Sequence, residues 1–141
     1  MKLKEIERQL KALKPGDLVC VEWFDASKGR IETIRELREV GVANGASIDS
    51  PVSSYGIYVG VFGARAKHVI LVASLWVHTV DYGQVDTTVI PLGVIEKVKV
   101  IAPQIMLLEH VRLCQQAFLQ GRCFHFLKRF QIRKRKFREI Y

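Results

Sequence analysis

Residues 68–80 read His68-Val69-Ile70-Leu71-Val72-Ala73-Ser74-Leu75-Trp76-Val77-His78-Thr79-Val80, with neither Gly nor Pro to interrupt them. β-Branched and aromatic residues dominate, so the run predicts a strand, the longest of the chain. Alternation places Val69, Leu71, Ala73, Leu75 and Val77 on one face. Ile70, Val72 and Trp76 fall on the other, among His68, Ser74 and His78. Both faces are substantially apolar, so the second must be covered as well as the first. An N- or C-terminal amphipathic helix is the expected lid.

Upstream, Leu3, Ile6, Leu10 and Leu13 recur at helical spacing and predict a short amphipathic helix over residues 2–13. Lys14-Pro15-Gly16-Asp17 is a turn, and Leu18 to Phe24 a strand with Val19, Val21 and Trp23 on its core face. Residues 28–40 carry Ile31, Ile34, Leu37 and Val40, a second amphipathic helix inserted between strands. Residues 45–54 read as a loop and Tyr55 to Phe62 as a strand, with Tyr58 and Phe62 opposite Tyr55, Ile57, Val59 and Val61. That pair would make a stacking platform, or lie under a helix lid.

Downstream, Asp81 to Gln84 reads as a turn, Val85 to Ile90 as a short strand and Pro91-Leu92-Gly93 as a break. Gly93 to Ile101 is a last strand with Lys97 and Lys99 on its outer face. Leu107, Val111, Cys114 and Phe118 predict a third helix, ending near Gly121. The expected fold is α+β and a single domain over 1–141. A five-stranded small β-barrel would span 14–102 with its helical insertion at 28–40, and a helical, basic extension would span 103–141.

The turn entering a valine-rich strand, the four further short strands and the Pro-x-Gly break resemble SH3-like or Sm-like small barrels. That resemblance covers residues 14–102 and implies architecture rather than activity. A second likeness rests on Pro15-Gly16-Asp17-Leu18-Val19 and Gly56-Ile57-Tyr58-Val59-Gly60, which resemble motifs of the NlpC/P60 and lecithin retinol acyltransferase-like thiol hydrolases. Those enzymes place a His just before the second motif, as base for a cysteine nucleophile. Here Ser53, Ser54 and Tyr55 stand there, and Cys114 lies mid-helix on an apolar stripe. A cysteine without a base beside it is a poor nucleophile.

Charge is the feature most directly tied to function. The chain has 141 residues and a formal net charge of +8. Residues 103–141 hold nine Lys/Arg against two acids, Glu109 and Glu139, and so carry +7 of it. Seven cations stand among the eleven residues 128–138: Lys128, Arg129, Arg133, Lys134, Arg135, Lys136 and Arg138. Such a block repels itself unless an anion lies beside it, which points to a polyanionic partner. Nucleic acid, DNA or RNA, is the leading expectation, with Lys97 and Lys99 extending the basic surface. A solvated tail, a protein interface and an anionic lipid surface are the alternatives. An interaction or assembly module, including a homo-oligomer, is the competing function.

His110, Cys114, Cys123 and His125 form a candidate zinc set, although core packing explains the cysteines as well. Asp17, Asp25, Asp81 and Asp86 read as turn formers. With no Gly-rich phosphate loop, Ser-His-Asp set or paired carboxylates, the reading is a non-enzyme with no cofactor. Three irregularly spaced cysteines fit free thiols in a reducing compartment, and the charged start of the chain predicts no secretory signal, so a cytoplasmic location is expected. No apolar run reaches the roughly 18 residues of a membrane helix.

Overall fold

The computed structural model describes residues 2–25 and 50–123. In order, they form α1 (Lys2–Lys11), β1 (Leu18–Asp25), β2 (Ser50–Phe62), β3 (His68–Thr79), β4 (Tyr82–Pro91), a 3₁₀ turn (Leu92–Val94), β5 (Ile95–Ala102) and α2 (Leu108–Leu119). The five strands make one antiparallel sheet in the order β4-β3-β2-β1-β5. The helical insertion expected at 28–40 and the basic segment from residue 124 onward lie outside the described residues. Among the described residues no helix is long and apolar enough to cross a membrane.

Each face of the sheet has its own core. On one, Ile6, Leu10 and Leu13 meet Val19, Val21, Tyr58, Val61, Val69, Leu71, Ile90, Leu92, Ile95 and Val98, so every strand contributes. On the other, Cys114, Ala117 and Phe118 of α2 cover Val59, Ile70, Val72 and Val85. The two-faced strand thus receives a helix on each side. Phe118 closes edge-to-face on Phe62, with ring centroids 5.4 Å apart at 76°.

The sheet is open rather than the barrel expected: β4 and β5 end it as separate edges, with no ladder between them among the described residues. The apolar stripe of α1 joins a core reaching from β3 and β4 across to β5. A helix therefore occupies space that strand-to-strand closure would need.

Three further expectations are corrected. The longest strand is β2, at 13 residues, because Ser50–Ser54 pair with β1 instead of looping. There β2 has β1 for a neighbour but not yet β3, whose ladder begins at Ile57, so among the described residues Pro51 has a partner strand on one side alone, where a proline is tolerated. Second, the β2–β3 register slips between Tyr58 and Gly60, with Gly60 at φ 136°. The bulge sends Tyr58 and Val61 to the α1 face, and Val59 and Phe62 to the α2 face. Tyr58, buried, and Phe62, half-buried, therefore pack on opposite faces and form no shared stacking platform. Third, β3 and β4 are joined by Val80 and Asp81 alone, since Thr79 already pairs with Tyr82.

Asp17 ties the turn before β1 to the crossing after β5. Its Oδ2 accepts the Lys14 N–H and its Oδ1 the Gln104 N–H, both at 2.8 Å. The Gly16 N–H donates to the Tyr58 carbonyl, and the Tyr58 N–H to the Asp17 carbonyl, again at 2.8 Å.

Candidate nucleic-acid interface

Helix α2 decides where the cationic segment begins. It ends in a Schellman arrangement: Arg122 N–H donates to the Ala117 carbonyl at 2.8 Å and Gly121 N–H to Phe118 at 3.1 Å. Gly121 takes φ 72°, a left-handed conformation that costs glycine little. The chain then turns back along β4, where the Val85 N–H donates to the Arg122 carbonyl at 3.0 Å and Cys123 forms a parallel bridge with Val85. The segment carrying Lys128, Arg129, Arg133, Lys134, Arg135, Lys136 and Arg138 lies outside the described residues, but its root is fixed on the β4 edge.

Arg122 packs over that edge. Its Nε donates to the Gly83 carbonyl at 2.8 Å, and its guanidinium carbon lies 4.4 Å from the centre of the Tyr82 ring. The Tyr82 ring is 5.7 Å from that of His78, whose Nε2 lies 3.0 Å from Gln84 Oε1. Gln84 is opposite Trp76 in the ladder. Alternation along β4 puts Tyr82 and Gln84 on one face, so Trp76, Tyr82 and His78 form a patch on the β3–β4 hairpin arm. Trp76 is 43% exposed and Tyr82 46%. Alternation alone sets Trp76 and His78 on a face that a helix would cover and leaves Tyr82 in the turn of residues 81–84, so the sequence pattern does not single out this patch. The arm outruns its helix: β3 is buried from Val69 to Val72 and largely exposed from Ala73 onward.

Lys97 and Lys99 lie exposed on β5, away from this patch in the sheet order. Lys99 Nζ meets Glu22 Oε1 at 2.9 Å. The hydrogen bond from Lys99, then its charge, holds the Glu22 carboxyl below the usual range. The same pair raises the Lys99 ammonium. Lys99 is thus partly neutralised from within the fold. Tyr55, in the row with Cys20 and Lys99, has its phenol pushed up chiefly by a hydrogen bond with Cys20.

Of the candidate zinc set, His125 lies outside the described residues. Among the described residues no group of three or more His, Cys, Asp or Glu is placed to hold a metal ion. Cys114 is fully buried, its Sγ 3.9 Å from Met106 Sδ, and burial pushes its thiol up to about 12. Burial also pushes Cys123 up to about 11, opposed by a hydrogen bond with Thr87. Both environments favour the protonated thiol over the thiolate that a metal or a nucleophilic reaction requires.

The two motifs shared with thiol hydrolases do come together, through the Gly16–Tyr58 and Asp17–Tyr58 backbone bonds. Just before the second motif, Ser54 Oγ accepts the Trp23 indole N–H at 2.9 Å. That position ties β2 to β1 instead of supplying a base. Comparison with protein-family models, curated proteins and solved structures gives no match for this chain.

Proposed function

We propose that this protein binds nucleic acid without strong sequence preference, through the cations of its C-terminal segment. The observation that carries the reading is the segregation of charge. The described residues hold eleven Lys/Arg against nine acids, a near balance of +2. Residues 124–141 hold seven Lys/Arg against one acid, Glu139, and supply +6. A nearly neutral scaffold anchors the root of a strongly positive segment on the β4 edge, an economical way to present cations to a polyphosphate. Affinity without base-edge contacts carries little sequence information, so binding is expected to be general.

The test is a salt titration of binding to duplex DNA by the full chain and by a chain ending at Leu127, which keeps the Cys123 bridge. Seven phosphate contacts give a log–log slope of about −6, and the shortened chain should lose most of both slope and affinity. Absence of binding at low salt, or an unchanged slope on truncation, overturns the reading.

A second reading, an assembly module, is favoured by the exposed apolar residues where the chain crosses from β5 to α2. Ile101, Ile105, Leu107 and Leu108 are each more than half exposed. Under that reading sedimentation would report a self-associating chain whose state is insensitive to truncation at Leu127.

A further inference from the structure

We infer that the crossing from β5 to α2, residues 101–108, is a membrane-docking loop that sets its aliphatic side chains into an anionic bilayer surface. The C-terminal segment has no part in this, so the inference goes beyond the proposed binding of nucleic acid. Ile101, Ile105, Leu107 and Leu108 are each more than half exposed. Two further features give up local stability where these side chains are presented. Leu107 is the N-cap of α2 and Leu108 its first residue, and leucine has no polar atom with which to cap a helix. Serine, threonine, asparagine or aspartate suits a solvated helix start far better. Gln104 takes φ 44°, a left-handed conformation that residues other than glycine rarely adopt. The turn is fixed from beneath. Gln104 N–H donates to Asp17 Oδ1 at 2.8 Å, and the Ile105 and Met106 N–H groups to the Gly16 carbonyl at 3.0 and 3.2 Å. Met106 packs inward on Cys114, between the outward Ile105 and Leu107. A surface already fixed in shape loses little conformational freedom on docking.

Charge and composition select the occupant. Arg112 stands one helical turn beyond Leu108, on the same side of α2, and is exposed. Lys14, also exposed, has its backbone N–H on the same Asp17 carboxylate that holds Gln104. The one acid of residues 97–123 is Glu109, in the first turn of α2, where the helix dipole favours a carboxylate. Aliphatic side chains bordered by cations match a bilayer, which offers a hydrocarbon layer beneath anionic headgroups. A second copy of the chain fits less well, because joining two such patches crowds Lys14 and Arg112 against like charges. The exposed side chains of the loop also lack the aromatic anchors on which protein interfaces are commonly built. Nucleic acid has the charge but no apolar layer.

The experiment measures flotation of the full chain with vesicles of phosphatidylcholine alone, or of equal parts phosphatidylcholine and phosphatidylserine. The parent should bind the anionic vesicles and leave the neutral ones. The double variant Leu107→Ser, Leu108→Gln keeps the net charge and gives α2 a preferred cap, so its thermal midpoint should equal or exceed the parent's. Its affinity for anionic vesicles should fall about 25-fold, about fivefold for each half-exposed leucine withdrawn from the bilayer. Ile101→Thr, a change that a strand accepts, should lower affinity about fivefold, and it decides if the double variant fails to fold. Affinity for duplex DNA should be the same in the parent and in both loop variants, so the nucleic-acid proposal and this inference stand or fall separately. A parent that ignores anionic vesicles or binds neutral ones equally overturns the inference, as do folded loop variants that float as well as the parent. It is also overturned if the parent sediments as an oligomer that the double variant splits into monomers, because the face then belongs to a second copy.

Discussion

Asp17 shows how one side chain can stand for a whole structural joint. Its two carboxylate oxygens accept backbone N–H groups from Lys14 and Gln104, 87 residues apart from the second of them, in a site where Asp17 is only 3% exposed. Truncation strands two donors where water has little access, and charge-assisted bonds of this kind are worth about 1.5–3 kcal/mol each. Asp17→Ala should therefore lower the unfolding free energy by about 3 kcal/mol in urea titrations at neutral pH. A change below about 1 kcal/mol would mean that water replaces the carboxylate. Cys114 gives the complementary prediction in pH. Its buried thiol ionises near 12 instead of 9.0, so the folded chain keeps a proton that the unfolded chain has already lost. That contribution to stability is intact below about pH 9 and is lost as pH rises toward 12. Denaturation midpoints should fall across this window in the parent, and less steeply in Cys114→Ala. Parallel curves would show that the thiol does not couple to folding.

At the scale of elements, the period of two in residues 68–80 and the helical spacing of Ile6 and Leu10 are enough to place strands and helices. Local sterics and burial set both patterns, so they are legible in a single sequence. Bulges are different. The slips at Tyr58/Gly60 and Val72/Ser74 depend on the strand opposite, and each reverses the faces beyond it. Leu75 therefore packs with Ile70 and Val72, against the alternation read from its own strand. The cationic block is legible because charge density needs no fold to be seen. The aromatic arm is not, because Arg122 reaches Gly83 across 39 residues of chain and the end of α2 decides which part of β3 is covered. Sheet closure was also beyond the pattern, since the core that α1 fills is set by all five strands together.

For the whole molecule the open sheet poses the problem of its two edges, since an edge strand offers its outer backbone groups to any passing strand. On β5 the Val98 N–H is taken by Gln9 Oε1 of α1 at 2.8 Å, and on β4 the Val85 N–H is taken by the Arg122 carbonyl at 3.0 Å. Charge adds a second barrier on β5. An antiparallel two-fold pairing of β5 with its copy about Val98 sets Lys97 opposite Lys99, and like charges directly across a ladder are destabilising. This accounts for the two lysines without calling on a ligand, and Lys99 is in any case engaged by Glu22. The two protections can be removed together. Gln9→Ala with Lys97→Glu frees the Val98 N–H and turns both cross-copy contacts into opposite-charge pairs. Sedimentation velocity at matched concentrations should show a larger weight-average coefficient for this variant than for the parent, and the increase should fade at high salt as the pairs are screened. Equal coefficients would mean that neither Gln9 nor Lys97 limits pairing at β5, and that the edge is guarded by something other than these two side chains.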